Sequence, residues 1–324
     1  MSQKLDLPPA IGAKAVHLLD DHAAPGAARR QRKVEQPTRG GANCMAEIGG
    51  CHSFLSLGER QRTSAAVADL FDMQLRAERR DRAARTGPEL FLHQRVFDDC
   101  LELIGLLDRR FARALLIGCP DPGWPQRLGA LCERADVRDP GPLFAQAVHA
   151  ETIAEDAWMP PEAAYDLVLA IGTLDTVNDL PLAVRLIRHS MADEALFIGA
   201  FSGGDTLPQL RSAMRAADAA LGAATPHVHP RIEPSALAPM LADAGFINPV
   251  VNVDRVAVSY PSLVRLVADL RAMAASNVLV SRPTFIGRKG RAAAIAAFDQ
   301  AGDGERTTET FEILHFAAWT SRKG

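Results

Sequence analysis

The chain has 324 residues, a formal net charge of -3, 48% hydrophobic and 23% charged residues. That length holds one large domain or two small ones, the composition is that of a globular protein, and the charge gives no reason to expect a nucleic-acid binder. No apolar run approaches the roughly 18 residues of a membrane span. The start, Met1 to Asp6, is followed by no apolar core or cleavage site of a secretory signal.

Residues 1–63 are rich in Ala, Gly, Pro and Arg and carry little apolar periodicity, which predicts a mobile tail or a translation start further on, near Met45. Five cysteines, an odd number at scattered positions, point to free thiols in a reducing compartment, with the cytoplasm as the default. Cys44, Cys51 and His52 are at no spacing typical of a zinc site. Residues 64–110 read as N-terminal helices. Val67 to Arg85 has helical spacing, with Leu70, Phe71 and Leu75 apolar and Arg76, Arg79, Arg80, Arg82 and Arg85 making a basic face. That face is either solvated or a cationic flap over an anionic ligand or partner. Glu89 to Arg110 forms a second helix with its apolar stripe running from Leu92 to Leu107.

The next run, Arg113 to Gly118, is apolar and closed by glycine, and it leads through Cys119-Pro120-Asp121-Pro122-Gly123 into a helix from Trp124 to Leu131. Strand, glycine turn and helix are the opening of an α/β sheet, and such turns bind nucleotide-like ligands. Strands are expected at Ala135 to Val137, at Ala147 to Ala154, at Tyr165 to Gly172 and at Ala195 to Phe201. Helices are expected at Leu180 to Met191 and from Thr206 to about Leu221. Apolar strands alternating with helices predict a parallel, doubly wound sheet. Further on, Pro234 to Gly245 reads as helix and Val250 to Tyr260 as strand. Ser262 to Met273 and Arg291 to Phe298 read as helices, and Thr308 to Trp319 as a final strand.

Several stretches together carry a family resemblance: Leu70-Phe71-Asp72, Val177-Asn178-Asp179-Leu180-Pro181, Phe197-Ile198-Gly199-Ala200, Gly203-Gly204-Asp205-Thr206-Leu207, Pro226-His227-Val228-His229-Pro230 and Ala244-Gly245-Phe246. Val258-Ser259-Tyr260, Asp269 to Met273 and Ser276-Asn277 extend it, so that it runs in unbroken order from about residue 66 to 320. The chain resembles the complex I assembly factor 5-like branch of the class I S-adenosylmethionine (SAM) methyltransferases, whose relatives include the malonyl-carrier methyltransferase of biotin synthesis. The resemblance implies an α/β, three-layer, doubly wound fold. Its seven-stranded sheet is mostly parallel with an antiparallel last strand, and the domain spans 111–324 with a helical insertion at about 261–300. It implies SAM as cofactor and a SAM-dependent methyltransferase acting on a protein or small acid. The mitochondrial member instead implies arginine hydroxylation on a respiratory complex I subunit, or a non-catalytic scaffold for that complex.

In the family the cofactor loop reads acid-Leu-Gly-Cys-Gly-x-Gly. Here Gly118 and Cys119 match, Leu116 stands for the acid and Pro120 for the second glycine. Proline removes an N–H donor, as it does again at Pro122. Asp136, with Asp139 close by, is the expected partner of the ribose hydroxyls, because a carboxylate accepts both O–H groups. Asp156, next to Glu155 and Ala157, is expected at the adenine amine, with Trp158 or Met159 against the base. Gly172 opens the loop that normally faces the substrate. That loop carries no His or aromatic residue through Asp179, and Asn178 with Asp179 is expected to cap the next helix. Asp205 is either an N-cap or a substrate-pocket acid that pairs with a cation. His227 is the other tentative catalytic residue, on a lid segment. His227, His229 and Asp205 have the donor set of a two-His-one-carboxylate iron site, against the plainer reading of a His227 bonded to backbone.

Overall fold

In the computed structural model, which describes residues 69–283 and 285–322, two helices precede the sheet: α1 (Met73–Thr86) and α2 (Phe91–Gly105). The expectations for residues 1–63, including Cys44 and Cys51-His52, lie outside the described residues. Asp72 starts α1 by accepting from Leu75 N–H at 2.9 Å, which fills one of the four donors that every helix start leaves open. The carbonyl and N–H of Phe71 and the N–H of Leu70 are in turn held by the Asn178 side chain. Asn178 therefore moors α1, and Asp179 alone caps the helix that follows it, through Leu182 N–H at 2.8 Å.

The sheet then builds strand by strand: β1 (Phe111–Ile117), the short α3 (Trp124–Leu128), β2 (Cys132–Asp139), α4 (Pro142–Ala147) and β3 (Glu151–Thr152). β4 (Tyr165–Ile171), α5 (Leu180–Ser190), β5 (Met191–Ser202), α6 (Pro208–Leu221) and α7 (Pro234–Asp243) follow. The chain closes with β6 (Phe246–Tyr260), α8 (Leu263–Ala272), α9 (Gly287–Gln300) and β7 (Thr307–Thr320). The seven strands stand in the order β3-β2-β1-β4-β5-β7-β6. Pairing is parallel from β3 through β5, and β7 runs antiparallel to both β5 and β6. This is the seven-stranded order of the class I SAM methyltransferase fold, with the reversed strand inserted last.

Alternation along the strands divides the core. Ala114 and Leu116 of β1 and Leu167, Leu169 and Ile171 of β4 face α2, α6, α8 and α9, whereas Leu115, Ile117, Val168 and Ala170 face α5 and α7. Among the largest fully buried side chains, Trp124 and Phe97 stack with centroids 4.2 Å apart, which locks the start of α3 to α2 just behind the β1 turn. Cys100, Cys119 and Cys132 are free and buried. No helix among the described residues is long and apolar enough to cross a membrane.

Two expectations shift. The stretch from Ala147 to Ala154 carries only two residues of strand, because Pro142 at the first helical turn starts α4 and uses the chain up to Ala147. The second strand is longer than the apolar triplet Ala135 to Val137. It runs to Asp139 because the parallel ladder with β1 continues through Arg138, and the stop comes only at Pro140-Gly141-Pro142.

Candidate functional site

The carboxyl ends of β1, β2, β3, β4 and β5 meet where α1 crosses the sheet. At the end of β1, Gly118 has φ +84, and a Cβ there would lie 2.3 Å from the Ile171 carbonyl oxygen and 2.6 Å from Thr173 Cγ2. Only glycine fits so close an approach of two loops. The Cys119 N–H donates to Asp139 Oδ2 at 2.7 Å, and the Gly118 N–H donates to the Arg138 carbonyl at 2.9 Å. The first donors of the turn thus face protein, and Pro120 and Pro122 add none. The Cys119 thiol is pushed up to about 12 by burial and by the Asp139 charge beside it. It is a packing thiol rather than a nucleophile.

The acid at the end of β2 is Asp139, fully buried. Its Oδ1 accepts from Arg80 Nε at 2.9 Å and Gly141 N–H at 2.6 Å, and its Oδ2 accepts from Arg80 Nη2 at 2.6 Å and Cys119 N–H at 2.7 Å. Every lone-pair direction of that carboxylate is filled. Glu155, after β3, is also fully buried, and both its oxygens accept from the two terminal nitrogens of Arg76 at 2.7 Å. The same guanidinium donates to the Thr173 carbonyl at 2.6 Å and to Thr176 Oγ1 at 3.0 Å. Burial opposes the Arg76 charge, yet the facing Glu155 carboxylate holds it above the usual arginine value. The basic face of α1 is therefore split: Arg76 and Arg80 turn inward onto acids, while Arg79 and Arg82 turn to Ser276.

The expected cofactor residues are brought together only in part. Gly118, Cys119 and Gly172 lie side by side at the switch between β1 and β4, and the His93 ring of α2 packs on Gly172, where a Cβ would come 2.9 Å from His93 Cδ2. Asp136 is not at the strand end. It lies in mid-strand beside β1, where it accepts from Arg113 Nε at 2.9 Å and the Tyr165 hydroxyl at 3.1 Å. Burial pushes its carboxyl up, but those partners hold it below the ordinary aspartate value. Asp156 accepts from the Asp179 N–H at 3.1 Å, and Ala157 is exposed. Glu155 and Asp139, neighbours of the residues expected, hold the two end-of-strand positions. The missed signal is the Asp139-Pro140-Gly141-Pro142 break, which marks where the second strand stops.

The residues expected at a SAM site do not fit the cofactor with α1 in place. Both strand-end acids have all or both of their oxygens engaged by guanidinium groups, Gly172 is covered by His93, and the β1 turn offers no free run of N–H donors. What the site does chemically, as arranged, is hold guanidinium groups in two-pronged contact with buried carboxylates, the strongest geometry for such a pair. Arg231 and Asp175 form a further buried ion pair, through a single contact of Nη1 with Oδ2. Beneath α1 a cavity of about 90 Å³ remains, bordered by Arg76, Arg80, His93, Asp175, His229 and Arg231. His93 has no partner at Nδ1 and is pulled down to about 4 by burial and by Arg80.

Asp205 and His227 do not share a pocket. The Asp205 side chain is 80% exposed, on a hollow with Arg211 and Arg255. His227 Nε2 lies 2.8 Å from Asp218 Oδ1 and 2.8 Å from Thr225 Oγ1. Asp218 also accepts from Thr225 N–H and Oγ1, so His227 closes a local knot that fixes the segment after α6. His229 Nε2 accepts from the Val278 N–H at 2.8 Å and is held down to about 3 by burial and by Arg231. The His227, His229 and Asp205 donor set is thus not assembled.

A scan against protein-family models finds no match. Among curated proteins, the mitochondrial arginine-hydroxylase NDUFAF5 of Mus musculus is 30% identical over 278 residues, which cover 79% of this chain and 79% of the relative. The malonyl-(acyl-carrier protein) O-methyltransferase of Xylella fastidiosa is 30% identical over 160 residues, covering 49% of this chain and 52% of its own length. Among solved structures, the YcgJ protein of Bacillus subtilis aligns with 69% of this chain and 98% of its own at a TM-score of 0.48 and 10% identity.

Proposed function

The chain belongs to the family of the arginine-hydroxylase NDUFAF5, and on that premise we propose that it is a SAM-methyltransferase-family protein acting on a protein or small acid, with α1 deciding whether SAM has access. The observation that carries this reading is the pair of buried acids Asp139 and Glu155 at the carboxyl ends of β2 and β3, each clasped by an arginine of α1. In this fold ligands bind at those strand ends. Acids stand at the ends of β2 and β3, where a ribose and an adenine amine would call for them, but both are engaged internally. Entry of the cofactor then exchanges two guanidinium clasps for ligand hydrogen bonds, so apparent affinity falls by the fraction of molecules in which α1 has moved aside.

Equilibrium calorimetry with SAM tests this. The full chain is expected to bind SAM weakly, and the Arg76→Gln/Arg80→Gln variant to bind it at least about tenfold more tightly, since the clasp no longer competes. Equal binding by both proteins refutes the role of α1, and no binding by either at millimolar SAM refutes SAM as cofactor.

A second reading joins the arginine-hydroxylase name of the mammalian relatives to the family resemblance: a maturation factor that hydroxylates an arginine of a respiratory complex I subunit, or binds that complex without catalysis. Pro120 and Pro122 in the cofactor turn and the lack of a His or aromatic residue from Gly172 to Asp179 favour it. Mass spectrometry of the subunit made with and without this protein distinguishes the readings: one added oxygen on an arginine supports hydroxylation, and one added methylene supports methyl transfer.

A further inference from the structure

Behind the cofactor end, between α1, α6, α8 and α9, lies a larger pocket of about 610 Å³. One wall is apolar, made by Leu210, Met214, Leu263, Val264, Val267 and Ile295. The other wall is cationic. Arg79 Nη1 donates to Ser276 Oγ at 2.9 Å and Arg82 Nη2 donates to the same oxygen at 3.1 Å. Arg271 and Arg282 border the pocket beside them. Among the described residues one carboxylate, Asp72, pairs with this group, at 3.3 Å from Arg282 Nη1. Arg79 Nε is buried and has no partner. A buried donor left without an acceptor is costly, and here it lies among like charges. Burial and the neighbouring Arg82, Arg282 and Arg271 hold the Arg79 guanidinium below the usual arginine value.

We propose that this pocket binds a small anionic amphiphile, with a phosphate or carboxylate head held by Arg79, Arg271 and Arg282 and an apolar chain laid along α6 and α8. An oxyanion bridges guanidinium groups that otherwise repel, and such charge-assisted bonds are the strong ones. The apolar wall gives the chain of the ligand a surface that water leaves favourably. This pocket shares the His229 and Arg231 wall with the cavity beneath α1 but is not lined by Asp139 or Glu155, so the proposal does not depend on SAM binding.

The probes are dodecyl phosphate and dodecanoate, titrated calorimetrically into the full chain below their micelle concentrations, with dodecyltrimethylammonium as the cationic control. One-to-one binding of either anion, with no binding of the cation, is the expected result. The tighter of the two identifies the head group. Arg79→Gln and Arg271→Gln should each weaken binding about tenfold or more. Arg271 is exposed, so its variant keeps the fold. Val264→Glu, at a position 51% exposed on the apolar wall, should weaken dodecyl phosphate but leave thermal stability unchanged. Equal binding of the cationic control, or unchanged affinity in both arginine variants, overturns the proposal.

Discussion

Replacing Arg80 with Gln tests the physical core of the site. Arg80 and Asp139 are both buried, with side chains 7% and 0% exposed, and they meet through two bonds of 2.6 and 2.9 Å. Removing one partner of a buried ion pair leaves the other charge uncompensated, at a cost of about 3–5 kcal/mol. Asp139 keeps the N–H groups of Cys119 and Gly141, so the loss belongs at the lower end, about 3 kcal/mol. For a folded region of this size each kcal/mol lowers the melting temperature by about 2–4 °C, so a drop of about 6–12 °C is expected by differential scanning calorimetry. The Asp139→Asn change and the double variant complete the cycle. Their combined cost should fall short of the sum of the two single costs by at least about 1 kcal/mol, since the residues are in direct contact. The control is Arg85→Gln. That residue faces Asp81 one turn away at 3.6 Å with its side chain 64% exposed, and its loss should cost less than about 0.5 kcal/mol. If Arg80→Gln melts within 2 °C of the wild type, by roughly the conversion above, the clasp is not holding α1 on the sheet and the account of a closed cofactor end fails.

Other expectations follow from single positions. Gly118→Ala puts a Cβ 2.3 Å from the Ile171 carbonyl at φ +84, and urea unfolding should show a loss above about 3 kcal/mol, strain and overpacking together. Gly222→Ala, at φ +64 but with nothing within 4 Å, should cost only about 1–2 kcal/mol. A similar loss at the two positions would mean that the close approach at Gly118 is not real. Stability should also fall as pH drops below neutrality. His93, His229 and His315 have folded values of about 4, about 3 and about 4, each set first by burial. Their stabilisation is whole above the unfolded value near 6.5 and is lost as pH falls toward those folded values, about 2 kcal/mol each by pH 5. Asp99 opposes this. Burial lifts it to about 6, so its contribution is whole below the unfolded value and lost as pH rises through 6, offsetting about 1 kcal/mol between pH 7 and 5. Unfolding free energies from urea titrations at pH 7 and 5 should therefore differ by about 5 kcal/mol, and His93→Asn, His229→Asn or His315→Asn should each shrink that difference. A flat profile in the wild type would refute the neutral state of these rings.

The order of strands and helices was legible in the sequence alone. Runs such as Leu115 to Ile117, Leu167 to Ile171 and Leu196 to Ala200 are apolar on both faces and closed by glycine or serine, the mark of strands covered by helices on both sides. One capping residue was legible too: Asp179 accepts from an N–H three residues on, whereas Asp72, which caps α1, reads from the sequence as part of a helical stretch from Val67 to Arg85. The short third strand was not, because two residues of pairing leave no periodic trace.

Which charged groups would be satisfied, and by what, was decided only by the tertiary structure. The Arg80–Asp139 and Arg76–Glu155 pairs join residues 59 and 79 positions apart; the Pro140-Gly141-Pro142 break marks Asp139 as a strand end, but no local pattern distinguishes Glu155 from Asp156 or pairs either acid with its arginine. A helix of alternating arginines reads from sequence as a basic face, but its rotation against the sheet sends Arg76 and Arg80 to buried acids, leaves Arg79 at the edge of a part-apolar pocket and turns Arg82 to Ser276. Hydrophobic periodicity is a property of neighbours along the chain and determines the sheet. Ion pairing depends on where chain ends, loops and helices finally meet, and here it determines whether the carboxyl end of that sheet is open.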